Sequence, residues 1–361
     1  MSELTKRLKR NFLEVYSSRK EEYIRTIIEL LFSALLGFTV AGIFAYLYGY
    51  DPLKIYSVMI GRGYLNLNYL LAKTTPLLLA GLAFSIPQMA GVFNIGGESQ
   101  LYWGAFIGLI AGYLTYVSTG IGFLATSAAV LASVSAGAIW ALVTATLRVY
   151  RGVNEVVVAI MLNWISYYTI LYTIIRHFLD PKISHQSIGM PLEARLAEPI
   201  GFAIAIIATG IIYYLLYHTG MGYEIRVSGL SPRAATYAGI DPHRSILISM
   251  LLGGACAGLG GGLLMLTFTR SIDTTMSALS GYGFTGIGVG LIGRSHPVGI
   301  IFSALFVAGL EIGSQWVELA TGAPPQLADA IIGIIVISLA TPYAYHSLIS
   351  WYRSRKEVMA K

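Results

Sequence analysis

The chain has 361 residues, of which 55% are hydrophobic and only 12% are charged, and its net charge is +6. Soluble domains carry about a quarter charged residues, so this composition excludes an ordinary soluble protein. A single cysteine excludes a disulfide framework, and positive charges that flank apolar runs do not indicate a nucleic-acid partner.

Long apolar runs fill most of the chain. Uncharged stretches of eighteen or more residues predict an all-α, polytopic membrane protein, with about ten transmembrane segments and one transmembrane domain over residues 23–348. Some segments are expected to be broken or re-entrant; the second contains Pro76 and Pro87, which predict a kink or a break. The segments fall at about 23–48, 69–90, 101–117, 121–147, 155–178, 199–218, 246–268, 281–292, 297–316 and 327–345.

Both ends of the chain are polar and basic. Residues 1–22 place Leu4, Leu8 and Phe12 at helical spacing, which predicts an amphipathic segment at the cytoplasmic membrane surface. Most Lys and Arg residues lie in this segment, in the basic tail 349–361, and in loops on the same side. The positive-inside rule therefore predicts that both termini are cytoplasmic.

Two connections are expected outside the membrane. The stretch after the first segment, which begins with Asp51 and Pro52, reads as a short outer loop. Residues 180–198 carry much of the remaining polar sequence between segments and could form a short surface helix.

Polar residues concentrate just before the third segment, in Asn94-Ile95-Gly96-Gly97-Glu98-Ser99-Gln100. Such residues beside a span are costly unless they face water, a ligand or one another. A helix that begins near Gly97 would direct free N–H groups toward a neutral polyol, with Asn94, Glu98 and Gln100 lining a substrate pathway. The alternative is a hydrogen-bond network that stabilises a broken helix.

The start of the fifth segment carries a second polar motif, Gly152-Val153-Asn154-Glu155. Asn154 is suited to cap a helix, and Glu155 in the first turn is favoured by the helix dipole. Both features are explained by local structure alone. Asn163, about two turns deeper, requires a partner inside the bundle and is a further candidate for the pathway.

A polar island at residues 221–242 separates the sixth and seventh segments. Ser231 can cap a helix, Pro232 suits its first position, and Gly239 can end it in a left-handed conformation. These signals predict a helix of about two turns that forms a rigid, basic knob for docking into another protein. An ordinary interhelical loop is the alternative.

Isolated ionisable residues in or near spans are functional candidates by default, and Lys73, Glu311 and Asp329 belong to this class. For Asp329 the favoured interpretation is a first-turn acid at the start of the last segment. No histidine pair has metal-ligand spacing, and no nucleophile motif occurs. The chain also has no Gly-Lys dipeptide and therefore no Walker A loop, so ATP hydrolysis in this chain is excluded.

Four motifs resemble one family in the same order. The run from Gly229 to Ile240 resembles the cytoplasmic coupling loop of ABC-importer permeases of the simple sugar and nucleoside branch, G-E-N-P-x-A-A-x-Y-A-G-I, with Leu230 and Ser231 in place of Glu-Asn. The other motifs resemble the F-N-I-G-x-E-G-Q, G-V-N-E-V and G-F-x-x-I-x-V-A-L-L-G-x-x-x-P patterns of that branch. They begin at Phe93, Gly152 and Gly283.

The resemblance implies a permease subunit in the plasma membrane that translocates a nucleoside or a simple sugar. Its implied partners are cytoplasmic ATPase subunits that hold ATP and Mg, a second permease subunit, and an extracytoplasmic binding lipoprotein; this chain itself needs no cofactor. Gly96, Gly97, Asn154 and Glu155 would be structural motif residues. The ATPase contacts would be Ser231, Pro232, Arg233, Ala234, Ala235, Tyr237 and Gly239.

Three other functions are weighed against this one. A branched-chain amino-acid permease shares the architecture, although the polar motifs favour the sugar and nucleoside branch. An ion-coupled secondary transporter would need more ionisable residues deep in its spans. An intramembrane enzyme is disfavoured because no paired catalytic constellation occurs.

Overall fold

The computed structural model describes residues 28–274 and 281–341. The predicted amphipathic segment 1–22 and the basic tail 349–361 lie outside the described residues. Within the described part, helices account for nearly all regular structure, accompanied only by isolated β-bridges that pair residue 179 with 187 and 186 with 273. The predicted all-α class is confirmed.

Fourteen α-helices are described, and most follow the predicted apolar segments. They are α1 (Ile28–Leu47), α2 (Pro52–Gly63), α3 (Leu67–Met89), α4 (Gly97–Thr119), α5 (Gly122–Arg151), α6 (Glu155–Thr173, continued by a π turn over Ile174–Phe178), α7 (Glu198–His218), α8 (Gly220–Leu230), α9 (Pro232–Tyr237), α10 (Pro242–Thr267), α11 (Tyr282–Ile292), α12 (Pro297–Ser314), α13 (Val317–Thr321) and α14 (Pro325–Ala340).

Eight of the described helices are long and apolar enough to cross a membrane. They are α1, α3, α4, α5, α6, α7, α10 and α12, and the shorter apolar helices α11 and α14 complete the predicted segments. Helix α11 has 11 residues and is about 16 Å long, roughly half of the ~30 Å hydrocarbon core. The eighth predicted segment is therefore too short to span the core alone.

Two predicted loops contain helices instead. The outer loop after the first segment holds α2, because Asp51 accepts a hydrogen bond from the backbone N–H of Leu53 and Pro52 occupies the first helical position. The predicted coupling loop 221–242 contains α8 as well as α9, since Thr219 accepts a hydrogen bond from the N–H of Gly222. Conversely, the helical structure within residues 180–198 is limited to a three-residue 3₁₀ turn and the first residue of α7.

The described residues form two compact units. In the first (28–57 and 317–341), Gly37 of α1 packs closely on Ser338 of α14. In the second (58–316), α10 lies at the centre and packs against α3, α4 and α5. Gly258 of α10 lies where α4 and α5 both come close: a β-carbon on Gly104 of α4 or Gly137 of α5 would overlap the Gly258 backbone. Small residues allow this approach in a membrane, where packing replaces the hydrophobic effect.

Candidate functional site

The chain turns back into the second unit after α3. Gly91 adopts a left-handed conformation with φ of 79°, which favours glycine, and the following residues run back along α3. The ring of Phe93 packs edge-on against Phe84, with centroids 5.0 Å apart, and the amide of Asn94 reaches Ala83. Helix α4 therefore begins alongside the second half of α3, inside the helical bundle.

Pro87 explains why Asn94 reaches that position. Proline has no backbone N–H, so the carbonyl of Ala83, four residues earlier, lacks its usual helical partner. Asn94 Nδ2 donates to this carbonyl at 3.0 Å and replaces the missing bond. Despite its two prolines, α3 is helical without interruption from Leu67 to Met89; the break in the chain lies in the segment that follows it.

The side-chain amides of Asn94 and Gln100 face each other. Asn94 Nδ2 donates to Gln100 Oε1 and Gln100 Nε2 donates to Asn94 Oδ1, each at 3.0 Å. Asn94 Oδ1 also accepts from the N–H of Gly96 at 3.1 Å, and both side chains are buried. These bonds alone are sufficient to explain two amides at this depth, because each is satisfied inside the protein.

Helix α6 holds the same segment from the other side. Asn163 Oδ1 accepts from the N–H of Ser99 at 3.2 Å, and Asn163 Nδ2 donates to the carbonyl of Ile95 at 3.3 Å. One turn further along α6, Ser166 accepts a hydrogen bond from the indole of Trp103 at 2.9 Å. Asn163 therefore has the partners inside the bundle that the sequence analysis expects, in the first turn of α4 and the residues just before it.

Glu98 joins α4 to α11. Its Oε1 accepts from the N–H of Gly281 at 2.9 Å and its Oε2 from the N–H of Gly283 at 2.5 Å, and the side chain is 1% exposed. Gly281 precedes α11 and has a left-handed φ of 77°. The carboxylate thus occupies the N-terminal end of α11 while it belongs to the first turn of α4, and both helix dipoles favour a negative charge there.

The N-termini of two helices therefore meet inside the second unit. Gly283 lies against Gly97 and Glu98, so closely that a β-carbon on Gly283 would overlap the backbone of Glu98. From this point α11 runs beside the second half of α3, with Gly286 against Ala80. We call Asn94, Glu98, Gln100, Asn163 and the amides of Gly281 and Gly283 the central cluster. Because Glu98 already accepts from these two N–H groups, neither is free to bind an anion.

An ion pair lies next to the central cluster. Lys73 Nζ of α3 is 3.0 Å from Glu311 Oε2 of α12 and 4.6 Å from the ring centre of Tyr282. In the sequence, Tyr282 stands between Gly281 and Gly283, whose N–H groups bind Glu98. One turn away on both helices, the hydroxyl of Tyr69 donates to Gln315 Oε1 at 3.3 Å. Lys73 and Glu311, which are far apart in the sequence, are therefore partners.

The fifth-segment motif lies at the end of α6, outside the central cluster. Asn154 accepts hydrogen bonds from the N–H groups of Val156 and Val157, which confirms the predicted cap. Glu155 pairs with Arg148 at the end of α5, with 3.4 Å between Oε2 and Nε. Among the described residues, no three His, Cys, Asp or Glu side chains are grouped to hold a metal ion.

Helix α9 forms the exposed knob that the sequence predicts. Ser231 caps it by accepting from the N–H of Ala234, Pro232 is its first residue, and Gly239 is left-handed with φ of 80°. Tyr237 is 95% exposed, whereas Ala235 is fully buried. Six helical residues, about 9 Å, thus present a rigid outer face and a single apolar inner contact.

Helix α8 connects this knob to the segment that leads into the central cluster. Gly229, next to the end of α8, packs directly on the backbone of Met89 and Ala90 where α3 ends. Ser228 donates to Ser245 of α10 at 3.0 Å, which fixes α8 from its other side. A displacement of α9 can therefore reach the chain reversal at Gly91 through close backbone contacts.

Replacing Asn94 with alanine is expected to lower the unfolding free energy by about 2–3 kcal/mol, because it leaves the Ala83 carbonyl and the Gln100 amide buried without Asn94 as partner. The measurement is reversible unfolding in mixed micelles. Asn154→Ala is the matched control: it removes an exposed cap and should cost about 1 kcal/mol. Equal losses in the two variants would contradict the proposed importance of the buried amide pair.

Comparison with known proteins identifies the family. The family described as "Branched-chain amino acid transport system / permease component" matches residues 66–340. Three relatives are a guanosine ABC transporter permease of Bacillus subtilis (28% identity; 87% of this chain, 93% of the relative), a glucose ABC transporter permease of Haloferax volcanii (30%; 86% and 86%), and a nucleoside ABC transporter permease of Lactococcus lactis (28%; 91% and 93%). The resemblance seen in the motifs is confirmed, and the chain belongs to this permease family as a multi-pass protein of the plasma membrane.

Proposed function

We propose that this chain is the translocating permease subunit of an ATP-driven importer that moves a nucleoside or a simple sugar. The observation that carries the proposal is the meeting of the α4 and α11 N-termini at Glu98, linked through Gly229 to an exposed knob at α9. This arrangement combines a polar cluster inside apolar helices with an exposed helix, α9, on which a partner protein could push. The relatives' names supply the cargo class.

The charge of the central cluster bears on the kind of cargo. Helix N-termini usually attract anions, and an amino-acid carboxylate could bind there. Here Glu98 already accepts from Gly281 and Gly283, so a second carboxylate would meet an occupied and negative site. A neutral, hydroxyl-rich cargo avoids that repulsion. The geometry therefore favours a nucleoside or sugar over a branched-chain amino acid, and we place Asn94, Glu98, Gln100 and Asn163 beside the pathway.

The knob α9 is proposed as the contact for cytoplasmic ATPase subunits, on which ATP and Mg would be bound. Its outward residues include Arg233 and the almost fully exposed Tyr237, and arginine and tyrosine are enriched at binding hot spots. The buried Ala235 keeps α9 seated on the permease while its outer face engages a partner. Movement of α9 would then pass through α8 to the end of α3.

The topology proposed for the chain has about ten membrane segments and cytoplasmic termini. Eight long apolar helices and two shorter ones, α11 and α14, support that number. In the second unit, the basic residues Arg148, Arg226, Arg233 and Arg294 lie in the last turn of α5, in α8, in α9 and just after α11, which are the connections that the positive-inside rule favours for the cytoplasmic side. A second permease subunit and an extracytoplasmic binding lipoprotein complete the proposed importer.

Proteoliposomes that contain the complex co-purified from native membranes are expected to accumulate labelled guanosine or glucose only when ATP is present on the ATPase side. Labelled leucine should not accumulate, because its carboxylate meets Glu98. Uptake assays with the three compounds check this directly. Leucine accumulation would indicate an amino-acid permease, and uptake driven by a proton or sodium gradient without ATP would indicate a secondary transporter.

A further inference from the structure

Two polar contacts cross between α3 and α12 one helical turn apart. Tyr69 and Lys73 are four residues apart on α3, as are Glu311 of the antiparallel helix α12 and Gln315, which caps its C-terminal end. Residues at this spacing lie on the same helix face. Side-chain exposure is 16% for Lys73 and 21% for Glu311, and Gln315 is exposed outright. The two contacts form a polar track that becomes more open with distance from the central cluster.

The charged pair at the inner end of this track is partly exposed. Ionisable side chains within membrane helices face a water-filled cavity, a partner or the bundle interior, since exposure to lipid is costly. A lysine ammonium has three N–H donors and a carboxylate accepts several hydrogen bonds, so the contacts of Lys73 with Glu311 and Tyr282 leave capacity for a further polar group. The open side of the Lys73–Glu311 pair can therefore bind a hydroxylated molecule.

A single residue, Tyr282, connects the track to the central cluster. Tyr282, whose ring lies beside Lys73, separates the two glycines whose amides bind Glu98. The outer end of the track lies at the start of α3, opposite the end where Gly229 packs on Met89. A molecule that enters from the side opposite α9 would meet Gln315 and Tyr69 first, then Lys73 and Glu311, and then the Glu98 region.

We propose that Lys73 and Glu311 bind neighbouring hydroxyl groups on the sugar ring of the cargo and set hydroxyl selectivity at the entrance to the central cluster. The carboxylate accepts from the hydroxyls and the ammonium donates to a hydroxyl oxygen, and such charge-assisted bonds are stronger than neutral ones. This inference rests on the proposed function, since it requires a hydroxylated cargo. The proposed binding consists of hydrogen bonds only and involves no covalent step.

The test compares guanosine with 2′-deoxyguanosine and 3′-deoxyguanosine in proteoliposomes that contain the native complex. Each compound is supplied at a concentration that saturates the binding protein, so the remaining preference belongs to the permease. The double variant Lys73→Met with Glu311→Leu removes both charges together, a change that buried ion pairs tolerate. Arg148→Met with Glu155→Leu removes the other ion pair as the matched control.

The wild-type complex is expected to prefer guanosine over at least one deoxy analogue by about tenfold, the size of one hydrogen bond to a charged group, and the double variant should lose that preference. The control pair should retain it. If the apolar double variant does not assemble, the charge exchange Lys73→Glu with Glu311→Lys keeps the pair and should change the ratio between the two deoxy analogues. Glucose and its deoxy analogues replace the nucleosides if glucose is the cargo.

Several outcomes would overturn the inference while leaving the proposed function intact. They are an unchanged preference in the double variant, no preference in the wild type, or dissociation of the two permease subunits as the only effect of the substitutions. By contrast, a wild-type complex with no ATP-dependent uptake of any nucleoside or simple sugar would refute the proposed function itself. The wild-type rate therefore separates the two failures.

Discussion

Arg233→Glu is expected to abolish ATP-driven uptake while the permease itself remains folded. Arg233 is exposed on α9, so the substitution removes a cation from the proposed ATPase contact and adds an anion without disturbing a buried group. Loss of an arginine hot spot typically costs 2 kcal/mol or more, which is about 30-fold or more in partner affinity. Co-purification of the ATPase with the tagged permease measures the contact, and uptake in proteoliposomes measures its consequence.

Arg151→Glu provides the matched control for this experiment. Arg151 ends α5 and is exposed, so the charge change is the same while α9 is untouched. We expect its ATPase to co-purify and its uptake to remain within about twofold of wild type, because surface charges outside contacts are worth little. If Arg233→Glu retains both ATPase association and uptake, α9 is not the coupling contact and the proposed energy route fails.

The large effect expected at α9 depends on its rigid seating. The Ser231 cap and Pro232 fix where the helix begins, and the buried Ala235 holds it against the permease. A flexible loop would absorb a push from a partner, whereas a capped helix transmits it through Gly229 to the backbone of Met89. The path from the ATPase contact to the chain reversal therefore consists of backbone contacts with little space to yield.

The local signals in the sequence identified helix ends well. The caps at Asn154 and Ser231, the helix start at Gly97 and the left-handed Gly239 follow from side-chain chemistry within a few residues, and the structure confirms each of them. Apolar runs likewise locate the membrane helices, because the thickness of the bilayer sets how long an apolar helix must be to cross it. Short polar helices were missed: α8 lacks a strong apolar pattern, although Thr219 could have been recognised as a cap.

Contacts between distant residues could not be predicted in the same way. Lys73 and Glu311 are paired across α3 and α12, and Glu98 binds amides of Gly281 and Gly283 far along the chain. Nothing local to either partner encodes these distances. Pro87 shows the same limit: its effect is to free a carbonyl that Asn94 then binds, and only the chain reversal makes the two meet. The polar motif was predictable, but its partners were not.

The hydrogen bonds of Glu98 in the central cluster require that α4 and α11 approach closely at Gly283. The α4 and α11 N-termini are joined by two bonds to Glu98, and a side chain at this crossing would separate them. Loss of the crossing would leave a carboxylate buried without its amide donors, which is among the costlier changes in a protein interior. Uptake is therefore expected to be more sensitive to one methyl group here than to a surface charge change away from α9, such as Arg151→Glu.

Gly283→Ala is accordingly expected to reduce uptake by at least about 100-fold and to destabilise the permease by 1–3 kcal/mol or more, as overpacking does. The added β-carbon would overlap the backbone of Glu98, and neither backbone segment can move without breaking the hydrogen bonds to Gly281 and Gly283. Gly210→Ala is the matched control, since a β-carbon at Gly210 of α7 meets nothing within 4 Å. Uptake and unfolding in mixed micelles are measured for both variants. Wild-type uptake by Gly283→Ala would show that the α4–α11 crossing is not required for translocation, whereas selective loss in this variant would establish that transport depends on the close approach of the two helix N-termini.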